Sequence, residues 1–83
     1  MTANPKFLRT AVLTMLKQAG DYQLPEAALC EQVRLALGRS VTDAQTQQAL
    51  GWLHDRAFID FTVDPMSEEK RWKITDSGKA QLN

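Results

Sequence analysis

Between Leu53 and Leu82 the side-chain periodicity changes twice, and this constrains the fold more than any other feature of the chain. The run LHDRAFIDFTV, Leu53 to Val63, begins with helical spacing and passes near Phe58 into alternation. Ile59, Phe61 and Val63 then point one way and Asp60, Thr62 and Asp64 the other, as successive side chains of a strand must. A charged turn follows. In RWKITDSGKAQL, Arg71 to Leu82, Trp72 and Ile74 alternate with Arg71, Lys73 and Thr75 before a short closing helix. Two alternating runs around a polar turn predict an antiparallel hairpin that follows directly on a helix. Setting Trp72 opposite Val63 places Asp64 across from Arg71 and Thr62 across from Lys73.

Upstream, the spacing predicts helices. Asn4 and Pro5 suit an N-cap and a first helical position. Leu8, Val12, Met15, Leu16 and Ala19 then form one stripe, broadened by Phe7 and Ala11, and Gly20 suits the left-handed residue after the helix. Leu13 falls beside this stripe, as flanking core or partner surface. Tyr22 and Leu24 alternate around Gln23, enough for a very short strand that pairs with the hairpin. Pro25 opens a second helix with Leu29, Val33, Ala36 and Leu37 on one face, and Gly38 stops it. After the turn Arg39-Ser40-Val41, Thr42 starts a third helix of about residues 42–56. Thr42 and Gln45 have capping-box spacing, and Thr46, Ala49, Leu50 and Leu53 face inward. No repeat, linker or second domain interrupts residues 1–83.

This order is similar to that of the winged helix-turn-helix family, most closely over Val41 to Leu82, about half the chain. Thr46 to Ile59 resembles a recognition helix entering the first wing strand, and WKITDSG at 72–78 resembles the segment that closes the wing. The resemblance implies an α+β, mostly helical fold: three helices, a two-stranded wing over 59–75 and a short C-terminal helix. It implies a bacterial or phage-type DNA-binding transcriptional regulator, with the third helix in the major groove and the wing on the backbone. Ala57 stands where the family commonly has glycine. If that position requires positive φ, alanine costs roughly 1–2 kcal/mol there.

Composition bears on the partner. Ten Lys and Arg balance ten Asp and Glu in 83 residues, whereas dedicated DNA-binding domains are usually basic. A neutral chain can still carry a basic face. The candidate cations are Arg39 in the turn, Arg56 near the end of the third helix, and Lys70, Arg71 and Lys73 on the wing; Lys6 and Arg9 could extend the patch. Thr42, Gln45, Gln47 and Gln48 are the candidate readers, since a Gln amide can pair bidentately with adenine. The same glutamines also suit a merely solvated helix face. Asp43, Asp55, Glu68 and Glu69 oppose phosphate. Trp52, beside the core stripe, is either core edge or the contact residue of a winged-helix module that binds protein instead of DNA.

Catalysis finds no support. His54 is the sole histidine, and adjacent Asp55 diverges from it on a helix. Cys30 is the lone cysteine, Asp21, Asp60, Asp64 and Asp76 lack metal-ligand spacing, and the four glycines are isolated. The expectation is a cytoplasmic protein without cofactor or metal, not an enzyme. Its expected partners are double-stranded DNA and a second copy of itself, or a protein partner on the alternative reading.

Overall fold

Local signals start and stop each helix. The computed structural model describes residues 5–82, in the order α1 (Pro5–Ala19), β1 (Leu24–Pro25), α2 (Glu26–Leu37), α3 (Asp43–Asp55), β2 (Ile59–Val63), β3 (Lys70–Ile74) and α4 (Asp76–Ala80). Asn4, read as the cap of α1, lies outside the described residues. Gly20 ends α1 at φ +63°, in the left-handed region that glycine adopts without a Cβ penalty. α3 opens on a complete capping box. The Thr42 hydroxyl accepts the Gln45 N–H at 3.1 Å, and Gln45 Oε1 accepts the Thr42 N–H at 2.9 Å. Such a cap contributes about 1 kcal/mol.

The far end of α3 answers the question posed by Ala57. The Phe58 N–H donates to Leu53 O at 3.1 Å and the Ala57 N–H to His54 O at 2.9 Å, a paired ending that needs a left-handed residue between them. Ala57 supplies it at φ 60°. The helix end is the same as a glycine would give, at alanine's strain.

α1 packs against α2, α3, β3 and α4. Contact from several sides widens its apolar stripe, so Leu13 is buried beside Leu8, Val12 and Leu16 and is core. Leu29, Val33, Val41, Leu50, Leu53 and Ile59 join them, and burying each such side chain contributes about 1.5–3 kcal/mol. Cys30 is buried. α2 overruns this core: its last turn leaves Ala36 and Leu37 exposed, against the expected inward face, with Leu35 more exposed still. None of the described helices is long and apolar enough to cross a membrane.

The sheet is antiparallel with order β1-β3-β2, the two-stranded wing joined by the short strand expected before α2, displaced to start at Leu24. That strand is Leu24–Pro25, paired as Leu24↔Trp72 and Pro25↔Arg71. Tyr22 stays outside it and exposed, because its N–H closes the end of α1 by donating to Ala19 O at 3.1 Å. Proline is tolerated in β1 because the strand lies at the sheet edge.

The hairpin register differs from expectation by two residues. Phe61 faces Trp72, Ile59 faces Ile74, Thr62 faces Arg71 and Asp60 faces Lys73. A two-residue shift keeps every side chain on its face, so alternation alone could not detect it. The turn decides. Asp64 Oδ1 accepts the N–H groups of Met66 and Ser67 at 2.8 and 3.3 Å, which makes Asp64 the start of the turn. Pro65, lacking an N–H, could not extend the ladder. Val63 consequently runs past the core and is 49% exposed.

Thr75 ties the root of the hairpin. Its N–H donates to Phe58 O at 3.0 Å, its hydroxyl donates to Ala57 O at 2.6 Å, and the same oxygen accepts the Gly78 N–H at 3.1 Å. A Cβ at Gly78 would stand 2.1 Å from Phe58 O, so the closing helix can approach only because that residue has no side chain.

Candidate nucleic-acid interface

The turn from α2 to α3 is short and anchored. Gly38 ends α2, Arg39 and Ser40 are exposed, and Val41 drives into the core at 1% exposure. Arg34, on the last turns of α2, reaches back to Glu31 at 3.1 Å and forward across the turn to Asp43. These two carboxylates push the guanidinium pKa further up, Glu31 contributing first. For α3 the consequence is that Asp43, a like charge to phosphate, carries its own counterion.

With Thr46, Ala49, Leu50 and Leu53 buried, the rest of α3 divides into three strips by helical spacing. Ala44, Gln48, Gly51 and Asp55 face outward. Asp43, Gln47 and His54 turn toward the wing, and Gln45, Trp52 and Arg56 toward α1. Gln47 and Gln48 are exposed and make no hydrogen bond to other described side chains. Thr42 and Gln45 are engaged in the cap, which leaves the Gln45 amide nitrogen as that side chain's remaining donor.

The three wing cations separate. Lys70 shares its sheet face with Trp72 and Ile74, and its Nζ lies 4.9 Å from the Phe61 ring. There it borders a groove with Gln47, Gly51 and His54, in which Glu26 also stands. Towards the wing tip Glu68 and Glu69 line a second groove with the same cation. Arg71 and Lys73 lie on the opposite sheet face. The Arg71 guanidinium meets Asp64 at 3.3 Å, on a diagonal and not straight across the hairpin, and Lys73 faces Asp60. Asp64 is held below the usual carboxylate range, first by the N–H groups of Met66 and Ser67 and then by Arg71.

Two contacts fix the wing to the helices. The Trp72 indole N–H donates to Glu26 Oε1 at 3.3 Å. The His54 ring packs 5.1 Å from Phe61 and 6.1 Å from Trp72, with Nε2 4.0 Å from Asp60 Oδ1. His54 thus finds its partners on the wing. Cys30 lies buried near Asp43 and Glu26; burial first, then these carboxylates, push its thiol pKa up, which disfavours the reactive thiolate.

Trp52 is half-buried against the core, its ring 6.5 Å from Phe58. The Cζ atoms of Arg9 and Arg56 lie 3.9 and 3.5 Å from its ring centroid. The structure therefore brings Gln47 and Lys70 together, leaves Arg39 in the turn without a side-chain partner among the described residues, and turns Arg71 and Lys73 away. Sequence reasoning missed Arg34 altogether. The Glu31–Arg34 spacing was a signal for half of its role, but nothing in the sequence pattern joins α2 to Asp43.

Helix, edge strand, helix-turn-helix, hairpin and closing helix, in this packing, make the winged helix-turn-helix fold. No protein-family model and no curated protein matches the sequence, but solved structures do. A PadR-like transcriptional regulator of Bacillus cereus aligns with a TM-score of 0.77 at 20% identity, over 93% of this chain and 75% of its own. PadR of Bacillus subtilis, solved in complex with operator DNA, gives 0.72 at 27% identity over 96% of this chain and 45% of its own. The PcaV transcriptional regulator of Streptomyces coelicolor, in complex with its natural ligand, gives 0.69 at 24% identity over 95% of this chain. This chain spans 49% of that protein, so it matches only about half of each of the last two.

Proposed function

We propose that this chain is a DNA-binding winged-helix transcriptional regulator that inserts α3 into the major groove and sets the wing along the backbone. The observation that carries the reading is the free outer face of α3. Gln47 and Gln48 stand exposed, Gln47 lines a groove with Lys70, and Arg34 pairs with Asp43 at the helix start. The likeness to B. subtilis PadR, a structure that contains operator DNA, supports it. Gln47 and Gln48 read base edges; Thr42 and Gln45 hold the helix start and offer the phosphate what their cap leaves free. Lys70 is the wing cation on the α3 side, with Arg71 and Lys73 serving strands that pass behind the wing.

On this reading the 83 residues act as one cytoplasmic domain that needs no cofactor and catalyses nothing. It pairs with a second copy to meet two half-sites. Phe7 remains exposed on α1 for such a contact, whereas Leu13 is consumed by the core. Zero net charge and the acidic wing tip favour the alternative, a module that binds protein. Trp52, the residue that would anchor such a partner, is instead half covered by core and by two guanidiniums.

Fluorescence anisotropy with random duplex at low salt tests the reading directly, since nonspecific association is normally visible at tens of micromolar protein. Absence of any binding there refutes it. Given a preferred site, Gln47→Ala or Gln48→Ala should cost about 1–3 kcal/mol on that site and little on random sequence. Sedimentation of the bound and free protein tests pairing against a 9.3 kDa monomer.

A further inference from the structure

The cations on the α1 side of α3 are arranged differently from those of the wing. Arg9 comes from α1 and Arg56 from the C-cap of α3, yet both guanidiniums rest on the Trp52 ring. Arg56 Nη1 also donates to Trp52 O at 3.4 Å. Among the described residues, no carboxylate lies within 4 Å of either guanidinium. Stacking on an aromatic face holds an arginine in place while leaving the in-plane N–H groups at its edge free to donate.

The position matters as much as the chemistry. Arg9 borders one cleft with Gln45 and Gln48 and a second with Trp52, Phe58 and Leu82. It therefore joins the reading edge of α3 to the tryptophan. Like charges brought onto one ring repel each other, and no carboxylate among the described residues offsets them as Arg34 and Arg71 are offset.

Resting on the DNA reading above, we infer that the Arg9–Trp52–Arg56 stack is a phosphate clamp, which grips the duplex backbone on the flank of α3 opposite the wing. Arg9 and Arg56 donate to the phosphate oxygens. Trp52 touches no DNA; it is a positioning residue that presents the two guanidinium edges together. Asp55, exposed on the same helix end, keeps the phosphate toward α1 and away from the outward strip.

The test is the salt dependence of duplex binding, measured by anisotropy on the intact chain. Removing one phosphate-binding cation flattens the slope of log K against log salt by about 0.9. Arg9→Gln and Arg56→Gln should each flatten it by about that amount and the double variant by about twice as much, with melting temperatures checked to show that the fold is retained. Trp52→Phe should keep the wild-type slope, whereas Trp52→Leu, apolar but without a ring face, should flatten it as the arginine variants do. Wild-type binding with unchanged slopes in Arg9→Gln and Arg56→Gln overturns the clamp and leaves the DNA reading standing. A wild-type chain that binds no duplex overturns both.

Discussion

The two flanks of α3 carry similar numbers of cations and use them in opposite ways. On the wing flank, Arg71 pairs with Asp64, Lys73 faces Asp60, and Lys70 lines grooves that also hold Glu26, Glu68 and Glu69. On the α1 flank, Arg9 and Arg56 meet an indole and, among the described residues, no carboxylate within 4 Å. Counting charge along the chain returns zero for the whole. What matters is which cations already hold a carboxylate, because an unpaired one is free to neutralise a phosphate and release the counterions condensed on the DNA. A neutral chain can therefore present a usable basic surface, on the flank that a sequence-based search of the wing passes over.

The two tryptophans test this division most strongly. Trp72 is 4% exposed, seated between Phe61 and the helices. Its replacement by alanine should cost about 3–5 kcal/mol of stability, as for other buried aromatic truncations. Trp52 is half-buried, and Trp52→Leu should cost roughly 1–2 kcal/mol, less than a full truncation of a buried ring. Chemical denaturation of both variants measures this. A Trp52 variant as unstable as the Trp72 one would place both residues in one structural role and erase the contrast.

A smaller effect concerns the joint between α3 and the wing. Ala57→Gly should relieve left-handed strain at φ 60° and stabilise the fold by up to about 1 kcal/mol, once the added freedom of the unfolded chain is deducted. Both flanks should keep their DNA contacts, since the substitution removes only a methyl group. Urea midpoints check the first statement and salt slopes the second.

The smallest effect is confined to the wing. Asp64 has a depressed folded-state pKa, so its contribution to stability is present above the ordinary carboxylate value of about 3.9 and is lost as pH falls through the lower folded value. Asp64→Asn should therefore be slightly less stable than the wild type at neutral pH and flatten the loss of thermal stability in that acid window, the two proteins converging below it. It also releases Arg71, which moves the wing toward the condition of the α1 flank. A steeper salt slope of DNA binding in this variant is the expected sign that pairing, not position, keeps Arg71 quiet.

How much of this was legible in the chain depends on the range of the interaction. The capping box at Thr42 and Gln45, the left-handed Gly20 and the hairpin itself are set by neighbours a few residues apart, and the sequence displays them. The register was not legible, because alternation fixes a face and the choice between two registers on that face fell to Asp64 and Pro65 in the turn. Leu13 looked marginal because a stripe read against one partner is narrower than a helix packed on several sides needs. The Gln-rich strip of α3 was visible, but its boundaries were not, since the cap draws Gln45 inward. The charge partners were the least legible. Arg34 with Asp43 crosses a turn, and Arg9 reaches Trp52 from another helix, so neither pairing leaves a periodic trace.

The knot at Thr75 bears on how this architecture can be altered. All of its hydrogen bonds lie at the root of the hairpin, between the end of α3 and the start of α4, and none involves residues 64–69. Lengthening a loop adds little to the entropy of closing it. The tip beyond Pro65 is therefore a cassette: it can be exchanged for a longer loop, a reporter dye or an affinity peptide, provided that Asp64 and Pro65, which set the register, are kept. Gly78 cannot be treated in the same way, and any library built on this scaffold should hold it constant.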